Sequence, residues 1–567
     1  MVKNWRKMKM LFDTTDLIEI TFGKLLDLLE EKYPGRLCVK YCDRDYTRTF
    51  AEFNREVEAA AKGFLALGIE KGDHIAIWAT NVPEWLITFF AAAKIGAVLV
   101  TVNTNYKIFE TEYLLRQSDS KAVVLIDGFK DSNYIETINK LVAGLPSHDP
   151  SKEIDSPVLP RLKRIIYAGK EQKAPGGMIK FEKLYDLGKG VDSDIYENIV
   201  KSLDIHDVVN MQYTSGTTGF PKGVMLTHYN IINNGRDIGD CMKLTPDDKY
   251  CICVPFFHCF GMVLSITACV THAAAMIPVD YYSPIPVMEA IQKENCTAFN
   301  GVPTMFINII DHPDFKKYDF KNLRTGIMAG SVCPEKVMRD AAKYMNMTEI
   351  TSVYGLTEAS PGCTQHITED PFDLRVSTVG RTLPHVEAKI TDPESGRILG
   401  PGEPGEFCAK GYNIMKGYYK MEEATKQAVD GDGWLHTGDI AVADENGYYK
   451  ITGRLKDMII RGGENIYPKE IEEFIYTIPK VSDVQVVGVP SKQYGEEIMA
   501  CVILKEGETM TAEELQQAVK SNLARHKVPK YVKFTDSFPM TASGKIQKYK
   551  LREEAAAEFN LGEEETI

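Results

Sequence analysis

The stretch that decides the fold is residues 213–223, which read Tyr213-Thr-Ser-Gly-Thr-Thr-Gly-Phe-Pro-Lys-Gly223. Its glycines let backbone N–H groups approach an anion closely, and four hydroxyl side chains add further donors. Lys222 supplies a point charge for phosphate. The order of residues does not fit the GxxxxGK[S/T] spacing of a Walker loop. The stretch therefore predicts a different kind of phosphate cradle, with a flexible polar turn as the alternative.

Short motifs follow this stretch in a fixed order up to residue 545. They are Phe256-Phe257-His258, Tyr354-Gly-Leu-Thr-Glu358, His436-Thr-Gly-Asp439, Gly453-Arg-Leu-Lys-Asp457, Gly462-Gly-Glu-Asn465 and Met540-Thr-Ala-Ser-Gly-Lys545. In this order the motifs resemble those of the adenylate-forming superfamily, which includes acyl-CoA synthetases, beetle luciferases and the adenylation domains of peptide synthetases. The run of residues 457–468 is especially similar to medium-chain fatty acyl-CoA synthetases.

The resemblance implies an ATP-dependent acid–CoA ligase, that is, an AMP-forming acyl-CoA synthetase. Such an enzyme activates a carboxylic acid to acyl-AMP with release of pyrophosphate and then transfers the acyl group to CoA. The implied acid is a medium-chain fatty acid; a short-chain, aryl or alicyclic acid, or operation in reverse to make ATP, stays an alternative. ATP, Mg²⁺ and CoA are the implied ligands, and a homodimer is left open.

The resemblance also assigns catalytic roles. Lys545 is placed between the acyl carboxylate and the α-phosphate, where it would stabilise charge in the transition state. Thr357 is expected to contact the α-phosphate, and His258 belongs to an aromatic–His element near the acyl pocket. Glu358 is the expected magnesium ligand, with a hydroxyl of Thr217 or Thr218 on the triphosphate side.

Nucleotide and CoA binding is assigned to the glycines, hydroxyls and charged residues of the same motifs. Asp439 fits the ribose because a carboxylate accepts hydrogen bonds from both hydroxyls, and Arg454 adds a donor. Tyr354 offers a flat face for adenine, with ordinary core packing as the alternative. The other predicted binding residues are Thr214, Ser215, Gly216, Thr217, Thr218, Gly219, Lys222, Gly330, Ser331, Gly355, Lys456, Gly462 and Gly463.

Two reaction steps at one site require movement. In the family the C-terminal domain swings about a hinge, here Lys456. One orientation presents Lys545, and the other presents the strand and turn at residues 460–464. Gly462 and Gly463 would let the pantetheine arm approach the backbone closely.

The predicted fold class is α/β. Apolar runs at residues 74–80, 97–102 and 122–126 alternate with helical patterns at 82–96 and 110–117, which favours mostly parallel sheets flanked by helices. We expect an N-terminal AMP-binding domain over residues 1–455, with a smaller antiparallel, β-barrel-like subdomain at 376–449. A mobile α+β C-terminal domain would follow at 456–567. The polar stretch at 149–190 reads as a surface excursion.

Composition narrows the function further. The 567 residues are 44% hydrophobic and 26% charged, which is typical of a globular protein, and the net charge is −13. A chain this acidic is not expected to bind nucleic acid. From Arg525 to Arg552, however, eight basic residues accompany one acidic residue, a local charge of +7. This segment predicts either a cap over a polyphosphate or a solvated basic face.

The acyl pocket is expected to be apolar. Acetate-specific relatives close it with a Trp where this chain has Gly355, so the sequence leaves room for a longer acid. The predicted lining is Phe256, His258, Phe260, Val302, Met305, Gly330 and Leu356. Amino-acid activation is disfavoured because no Asp stands near residues 256–261. A luciferase-like oxygenase and a non-catalytic nucleotide sensor are the remaining rivals, although a sensor is expected to lack Lys545 or Glu358.

The twelve cysteines form no CxxC pair, which favours a reducing cytosol. Cys251, Cys253 and Cys259 beside His258 match no zinc spacing and read as core residues. Residues 251–278 are too broken by Pro and His for a membrane span, so a buried segment is expected. The location is predicted as cytoplasmic, with a weak N-terminal organelle-targeting signal as the alternative.

Overall fold

The computed structural model describes residues 11–12, 16–214, 221–331, 333–461, 464–491, 494–541 and 546–559, which contain its helices and strands. Along the first 201 residues they are α1 Phe22–Lys32, β1 Leu37–Lys40, β2 Thr47–Thr49, α2 Phe50–Ala66, β3 His74–Trp78, α3 Pro83–Ile95, β4 Val98–Thr101, α4 Ile108–Gln117, β5 Ser120–Leu125, β6 Gly128–Phe129, β7 Ser132–Asn133, α5 Tyr134–Leu141, β8 Arg164–Tyr167, β9 Ile179–Lys180, α6 Lys183–Gly188 and α7 Ser193–Lys201.

The middle of the chain continues this alternation of helices and strands. Its elements are β10 Val208–Thr214, β11 Lys222–Thr227, α8 His228–Cys241, β12 Lys249–Ile252, α9 Cys259–Gly261, α10 Ala268–Thr271, β13 Ala275–Pro278, α11 Pro284–Glu294, β14 Ala298–Phe299, α12 Pro303–Ile310, β15 Thr325–Met328, α13 Glu335–Tyr344, β16 Glu349–Gly355, β17 Gly362–Gln365, α14 Phe372–Ser377 and β18 Arg381–Thr382.

The last part of the chain contains the shorter antiparallel elements and the C-terminal unit. They are β19 Val386–Thr391, β20 Gly405–Gly411, β21 Gly417–Tyr418, α15 Glu422–Ala428, β22 Leu435–Ala443, β23 Tyr449–Arg454, β24 Ile459–Arg461, β25 Glu464–Ile466, α16 Pro468–Tyr476, β26 Val481–Ser491, β27 Gly495–Leu504, α17 Ala512–Asn522, β28 Tyr531–Phe534 and α18 Lys548–Glu558.

Helix α3 illustrates how the sequence sets these elements. Pro83 stands at its first turn, where a missing N–H costs nothing, and Gly96 ends it in the left-handed region at φ 73°. Nearly every residue between is buried, because the helix packs beside the strands β3 and β4 that it joins. This β–α–β unit confirms the alternation predicted from the sequence.

The first large sheet has eight strands in the order β21-β11-β10-β4-β3-β5-β8-β9. Its strands from β10 to β9 are parallel, and β11 and β21 add an antiparallel edge. The fold class predicted from the sequence, α/β with mostly parallel sheets, is confirmed here.

The prediction of a surface excursion at residues 149–190 is wrong. Within it, β8 pairs in parallel with β5, and Ile165, Ile166 and Tyr167 are completely or almost completely buried. A run of only four residues is enough for a strand buried on both faces of a parallel sheet, and the polar, Pro-rich and Gly-rich flanks hide it in the sequence.

The second large sheet positions most of the site. Its order is β18-β17-β16-β15-β14-β12-β13-β1-β2, and β12, β14, β15 and β16 run in parallel. The carboxyl ends of parallel strands meet at one edge, where ligands of open α/β sheets bind. The segments that follow β12, β15 and β16 carry His258, Gly330 and the motif at 354–358, so the topology brings them together.

Residues 251–278 are a core segment, as predicted. Cys251, Cys253 and Cys259 are buried, and α9, a π-helical turn at Met262–Thr267 and α10 form one continuous buried helix. Across the stretches of chain that the structure describes, no helix combines the length and apolar character that a membrane crossing requires.

The small subdomain is an antiparallel sheet in the order β19-β20-β22-β23. Its register shifts between Glu406 and Cys408 of β20, because Glu406 pairs with Ile440 of β22 whereas Cys408 pairs with His436. The extra residues of β22 form a bulge that contains Gly438 at φ 68° and ends at Asp439.

The C-terminal unit is an antiparallel ladder of β25, β24, β27 and β26, with β28 parallel to β27. Alternate residues of β26 point to opposite faces. Val486 belongs to a cluster with helix α16, and Val487 belongs to a second cluster with helix α18. The α+β content predicted for the C-terminal segment is present.

Candidate functional site

One cavity lies at the carboxyl edge of the second sheet. It is lined by residues from three of the predicted motifs and from the π-helical segment: His258, Cys259, Phe260, Leu264, Ala329, Gly330, Val353, Gly355, Leu356, Thr357, Pro361 and Gly362. Four of the seven predicted acyl-pocket residues are among them. Phe256 is instead part of the core, with its ring 5.3 Å from that of Trp85.

A hydrogen-bonded group joins three residues predicted to bind the nucleotide, Tyr354, Asp439 and Arg454. The Tyr354 hydroxyl donates to Asp439 Oδ2 at 2.9 Å, and Arg454 Nε lies 3.0 Å from Oδ1. Asp439 is 5% exposed, and its attraction for Arg454 raises the pKa of that guanidinium. Two fixed donors hold the carboxylate in one orientation, which is the arrangement a ribose diol can use.

The ring of Tyr354 is buried and meets Phe407 edge-on at 5.1 Å. Burial and the neighbouring Asp439 charge raise the pKa of its hydroxyl well above the ordinary value. These contacts favour the core-packing alternative for Tyr354, with the hydroxyl orienting Asp439.

Glu406 is a site residue that sequence reasoning missed. Its Oε1 accepts the Gly438 N–H at 2.9 Å and so fixes the bulge that presents Asp439. Glu406 lies 33 positions before Asp439 in a strand of ordinary alternating sequence, and no local signal marks it.

Glu358 lies beside Tyr418 and Lys222. The Tyr418 hydroxyl donates to Glu358 Oε1 at 2.8 Å, and Lys222 Nζ lies 4.8 Å from the centre of the Tyr418 ring. Among the described residues this leaves Glu358 Oε2 for a cation, and a carboxylate oxygen is the donor that Mg²⁺ prefers. The donor set therefore fits magnesium. Tyr418, which brings the two predicted residues together, was not predicted.

The glycine- and hydroxyl-rich stretch begins at a hairpin. Thr214 at the end of β10 and Lys222 at the start of β11 are paired directly across the ladder. Five predicted residues between them, Ser215, Gly216, Thr217, Thr218 and Gly219, lie outside the described residues.

His258 and Thr357 face the same cavity. His258 caps α9, and its Nδ1 accepts the Phe260 N–H at 3.1 Å. Thr357 is 7% exposed, and its Oγ1 lies 3.6 Å from the thiol of Cys259. Cys259 was expected to be a core residue only, yet it also lines the cavity.

Two glycines of the cavity are required by close packing. A Cβ on Gly355 would lie 1.7 Å from the Pro361 carbonyl oxygen. Gly330 has φ 87°, and a Cβ there would lie 2.9 Å from Val302. Gly355 is therefore required by the close approach of the Pro361 backbone, whatever the size of the acid. Ser331 follows Gly330 at an exposed position.

Several predicted residues of the C-terminal unit lie outside the described residues: Lys545, Gly462 and Gly463. For Lys456 the backbone alone is described, within a short 3₁₀ helix. Met540 and Ile546, which flank the lysine motif, are bridged as an antiparallel pair.

Four of the eight basic residues at 525–552 are paired with acidic neighbours. Salt bridges join Lys527 to Glu470 at 2.6 Å, Lys533 to Glu558 at 2.8 Å, Lys548 to Glu472 at 2.6 Å and Arg552 to Asp457 at 2.6 Å. For these four residues the contacts favour a structural role over direct contact with a polyphosphate.

The chain matches two family models. The family described as AMP-binding enzyme matches residues 29–419, and its C-terminal domain matches residues 470–545. The chain therefore belongs to the AMP-binding enzyme family, whose members form adenylates.

Two relatives match almost the whole chain. YngI of Bacillus subtilis (strain 168), named as an acyl-CoA synthetase, is 53% identical over 546 residues, 96% of this chain and 99% of that protein. The medium-chain acyl-CoA ligase ACSF2, mitochondrial, of Homo sapiens is 39% identical over 549 residues, 95% of this chain and 88% of that protein.

Among solved structures, ATP-bound MatB from Rhodopseudomonas palustris superposes with a TM-score of 0.80 at 28% identity, covering 94% of this chain and 99% of that one. The anthranilate CoA ligase AuaEII, in complex with anthranoyl-AMP, superposes with a TM-score of 0.83 at 23% identity over 96% and 98% of the two chains. The second likeness shows that the fold is shared.

Proposed function

We propose that the protein is an ATP-dependent acid–CoA ligase whose preferred acid is a medium-chain fatty acid. The enzyme class, AMP-forming acyl-CoA ligase, follows from the family and from the two full-length relatives. The observation that carries the proposal is the junction of two environments in one site. An apolar cavity meets the group formed by Asp439, Arg454 and Tyr354 at the residues of a single motif, 354–358.

In this proposal ATP lies with its ribose on Asp439 and its α-phosphate near Thr357. Glu358 and Thr217 would hold Mg²⁺, which would lower the repulsion between the triphosphate and the incoming carboxylate. Lys222 and the N–H groups of the stretch at 214–219 hold the outer phosphates, and Lys545 stabilises the charge that develops between carboxylate and α-phosphate.

The acid carboxylate attacks the α-phosphorus, and pyrophosphate leaves. The CoA thiol then attacks the carbonyl carbon of the acyl-adenylate, its proton passes to a base or to solvent, and AMP leaves. Movement about Lys456 would exchange Lys545 for the strand and turn that carry Gly462 and Gly463, so that both steps use the cavity.

The choice of acid is supported by the cavity wall. Phe260, Leu264, Val353 and Leu356 give it apolar side chains, which favour an alkyl chain by removing its surface from water. Gly330 and Gly355 line the same cavity. The name of the ACSF2 relatives supports the same chain length.

The experiment is a CoA-dependent AMP-release assay across acids from acetate to palmitate, with benzoate. We expect the highest kcat/KM between hexanoate and dodecanoate. A maximum at acetate or benzoate would overturn the medium-chain assignment, and no AMP release with any acid would overturn the ligase assignment. Glu358→Gln should lose AMP release, whereas Glu423→Gln, an exposed glutamate on α15, should retain it.

A further inference from the structure

Three potential metal ligands meet on one face of the small subdomain. Cys408 on β20 and His436 on β22 are cross-strand partners, and Glu406 stands two residues before Cys408 on the same strand. His436 Nδ1 lies 2.9 Å from Glu406 Oε2 and 3.5 Å from Cys408 Sγ, and the sulfur lies 4.0 Å from the same carboxylate oxygen. All three ligand atoms thus face one point.

These separations are close to those of a tetrahedral metal site. With metal–nitrogen and metal–oxygen bonds of about 2.0–2.2 Å and a metal–sulfur bond of about 2.3 Å, tetrahedral ligands lie roughly 3.3–3.7 Å apart. The observed values bracket that range and need shifts of a few tenths of an ångström. We propose that Glu406, Cys408 and His436 form a binding site for a thiophilic divalent cation of the Zn²⁺ type.

Each ligand is also held by a second polar partner, as in established metal sites. The Gly438 N–H occupies Glu406 Oε1 and leaves Oε2 for the cation, and Thr391 Oγ1 lies 3.5 Å from Cys408 Sγ. His436 Nε2 lies 3.5 Å from Asp430 Oδ2, so the imidazole can place its proton on Nε2 and keep Nδ1 for the metal.

Charge and access agree with this assignment. Binding forms a metal–sulfur bond and releases the thiol proton to solvent, so that one thiolate and one carboxylate balance the charge of a divalent ion beside a neutral imidazole. Cys408 is fully buried, while the His436 side chain is 37% exposed. The cation can therefore enter from the His436 side and keep a water molecule as its fourth ligand.

The site is different from the magnesium position at Glu358. It contains a sulfur and a nitrogen donor, which Mg²⁺ does not favour. It lies on the strand pair that forms the Gly438 bulge, behind the residue that presents Asp439. The proposal stands whether or not the acid is a medium-chain fatty acid.

The test uses Co²⁺ as a spectroscopic substitute for Zn²⁺ on the reduced, metal-stripped full-length protein. We expect one equivalent to bind with a thiolate-to-cobalt charge-transfer band, to be displaced by Zn²⁺, and to resist excess Mg²⁺. Cys408→Ser should remove the band, and His436→Gln should weaken Co²⁺ binding by at least about tenfold. Cys42→Ser, a half-buried cysteine far along the chain, is the matched control and should keep it.

Circular dichroism and the melting temperature of Cys408→Ser establish that the variant is folded. A band that survives in folded Cys408→Ser, or that disappears in Cys42→Ser, would overturn the assignment by placing the sulfur elsewhere. Absence of the band in the wild-type protein would overturn the site itself.

Discussion

The body before residue 455 and the unit after it hold their polar groups in different ways. In the body, tyrosine hydroxyls donate to the carboxylates of the site, from Tyr354 to Asp439 and from Tyr418 to Glu358. In the C-terminal unit, the ion pairs described above join basic residues to acidic ones of the same unit. The predicted nucleotide-binding residues of the body are therefore held in place by other residues of the body.

The hydrophobic cores of the two regions also differ. One connected cluster runs from Leu11 to Tyr418 and joins both large sheets, whereas the C-terminal unit has two smaller clusters on the two faces of β26 and β27. A unit with its own core can move as a body. The comparison leads us to predict that the unit contributes one residue, Lys545, to catalysis and not a basic surface.

The largest expected effect tests that statement at Lys545. Lys545→Ala should reduce acyl-AMP formation by at least about 10²–10³-fold, because it removes a charge that acts in the transition state. Thioester formation from preformed acyl-AMP should be largely retained. ATP–pyrophosphate exchange measures the first step, and thioester formation from synthetic adenylate measures the second.

Lys550→Ala is the matched control, since it removes an exposed lysine of the same segment. It should leave both half-reactions near wild type. Equal loss of both half-reactions in Lys545→Ala would contradict the assignment of Lys545 to one orientation of the C-terminal unit.

The next largest effect is expected at Asp439, in the predicted nucleotide-binding part of the site. Asp439→Ala removes the acceptor for Tyr354 and Arg454 and for the ribose. Hydrogen bonds to a charged group contribute about 1.5–3 kcal/mol, so kcat/KM for ATP should fall about 10- to 150-fold. The KM for the acid should change little. Asp432→Ala, an exposed position in the same subdomain, should leave kcat/KM for ATP unchanged.

Local patterns predicted the elements well. Strand–helix alternation in the first sheet, Pro83 and Gly96 at the ends of α3, and the α+β order after residue 457 all depend on neighbours in the chain. The motif at 354–358 was readable for the same reason, because its residues are consecutive and share one strand end. Whether each motif residue contacts a ligand is still a prediction.

Contacts between distant segments were not readable. Asp439 contacts Tyr354 across 85 positions of the sequence, and Glu358 contacts Tyr418 across 60. No sequence pattern near either carboxylate indicates which residue it will contact. Strand β8 was missed because three apolar residues after Arg164, within a polar stretch, are too few to show a period. The basic segment was ambiguous for the same physical reason, since the acidic partners of its lysines and arginine lie up to 95 positions away.

A smaller effect concerns the acid stability of the body through His228. This side chain is buried, its Nδ1 accepts the Phe22 N–H at 3.2 Å, and burial lowers its pKa to about 4 from 6.5. Between these values the unfolded chain binds a proton that the folded chain does not. The free energy of unfolding therefore falls as the pH falls, by about 2 kcal/mol at about pH 5.

His228→Asn keeps an acceptor for Phe22 but does not titrate. Urea unfolding at neutral pH and at about pH 5 should show the variant less stable at neutral pH and the gap narrowing by about 2 kcal/mol in acid. A constant gap would contradict the assignment. His206→Asn, an exposed histidine near Tyr229, is the control and should leave the pH dependence unchanged.

Buried carboxyl groups have the opposite effect in both regions: burial raises the pKa of Asp237 in the body to about 6, and Asp483 in the C-terminal unit behaves in the same way. Asp483 accepts a hydrogen bond from Tyr476, and burial raises its pKa to about 6. Its folded form holds a proton that the unfolded chain loses between about pH 4 and 6, so this group favours folding more as the pH falls. Acid therefore weakens the body at His228 while it stabilises the C-terminal unit at Asp483.

The smallest expected effect returns to the basic segment. Lys533 pairs with Glu558 at 2.8 Å and with Glu554 at 3.7 Å, and all three lie on the C-terminal unit. Since surface ion pairs contribute about 0–1 kcal/mol, Lys533→Met should lower the free energy of unfolding by no more than that. AMP release should stay near wild type, because the lysine serves its own unit. A large loss of AMP release at unchanged stability would instead mean that the segment holds a polyphosphate. The structural role that the comparison assigns to these basic residues would then be wrong.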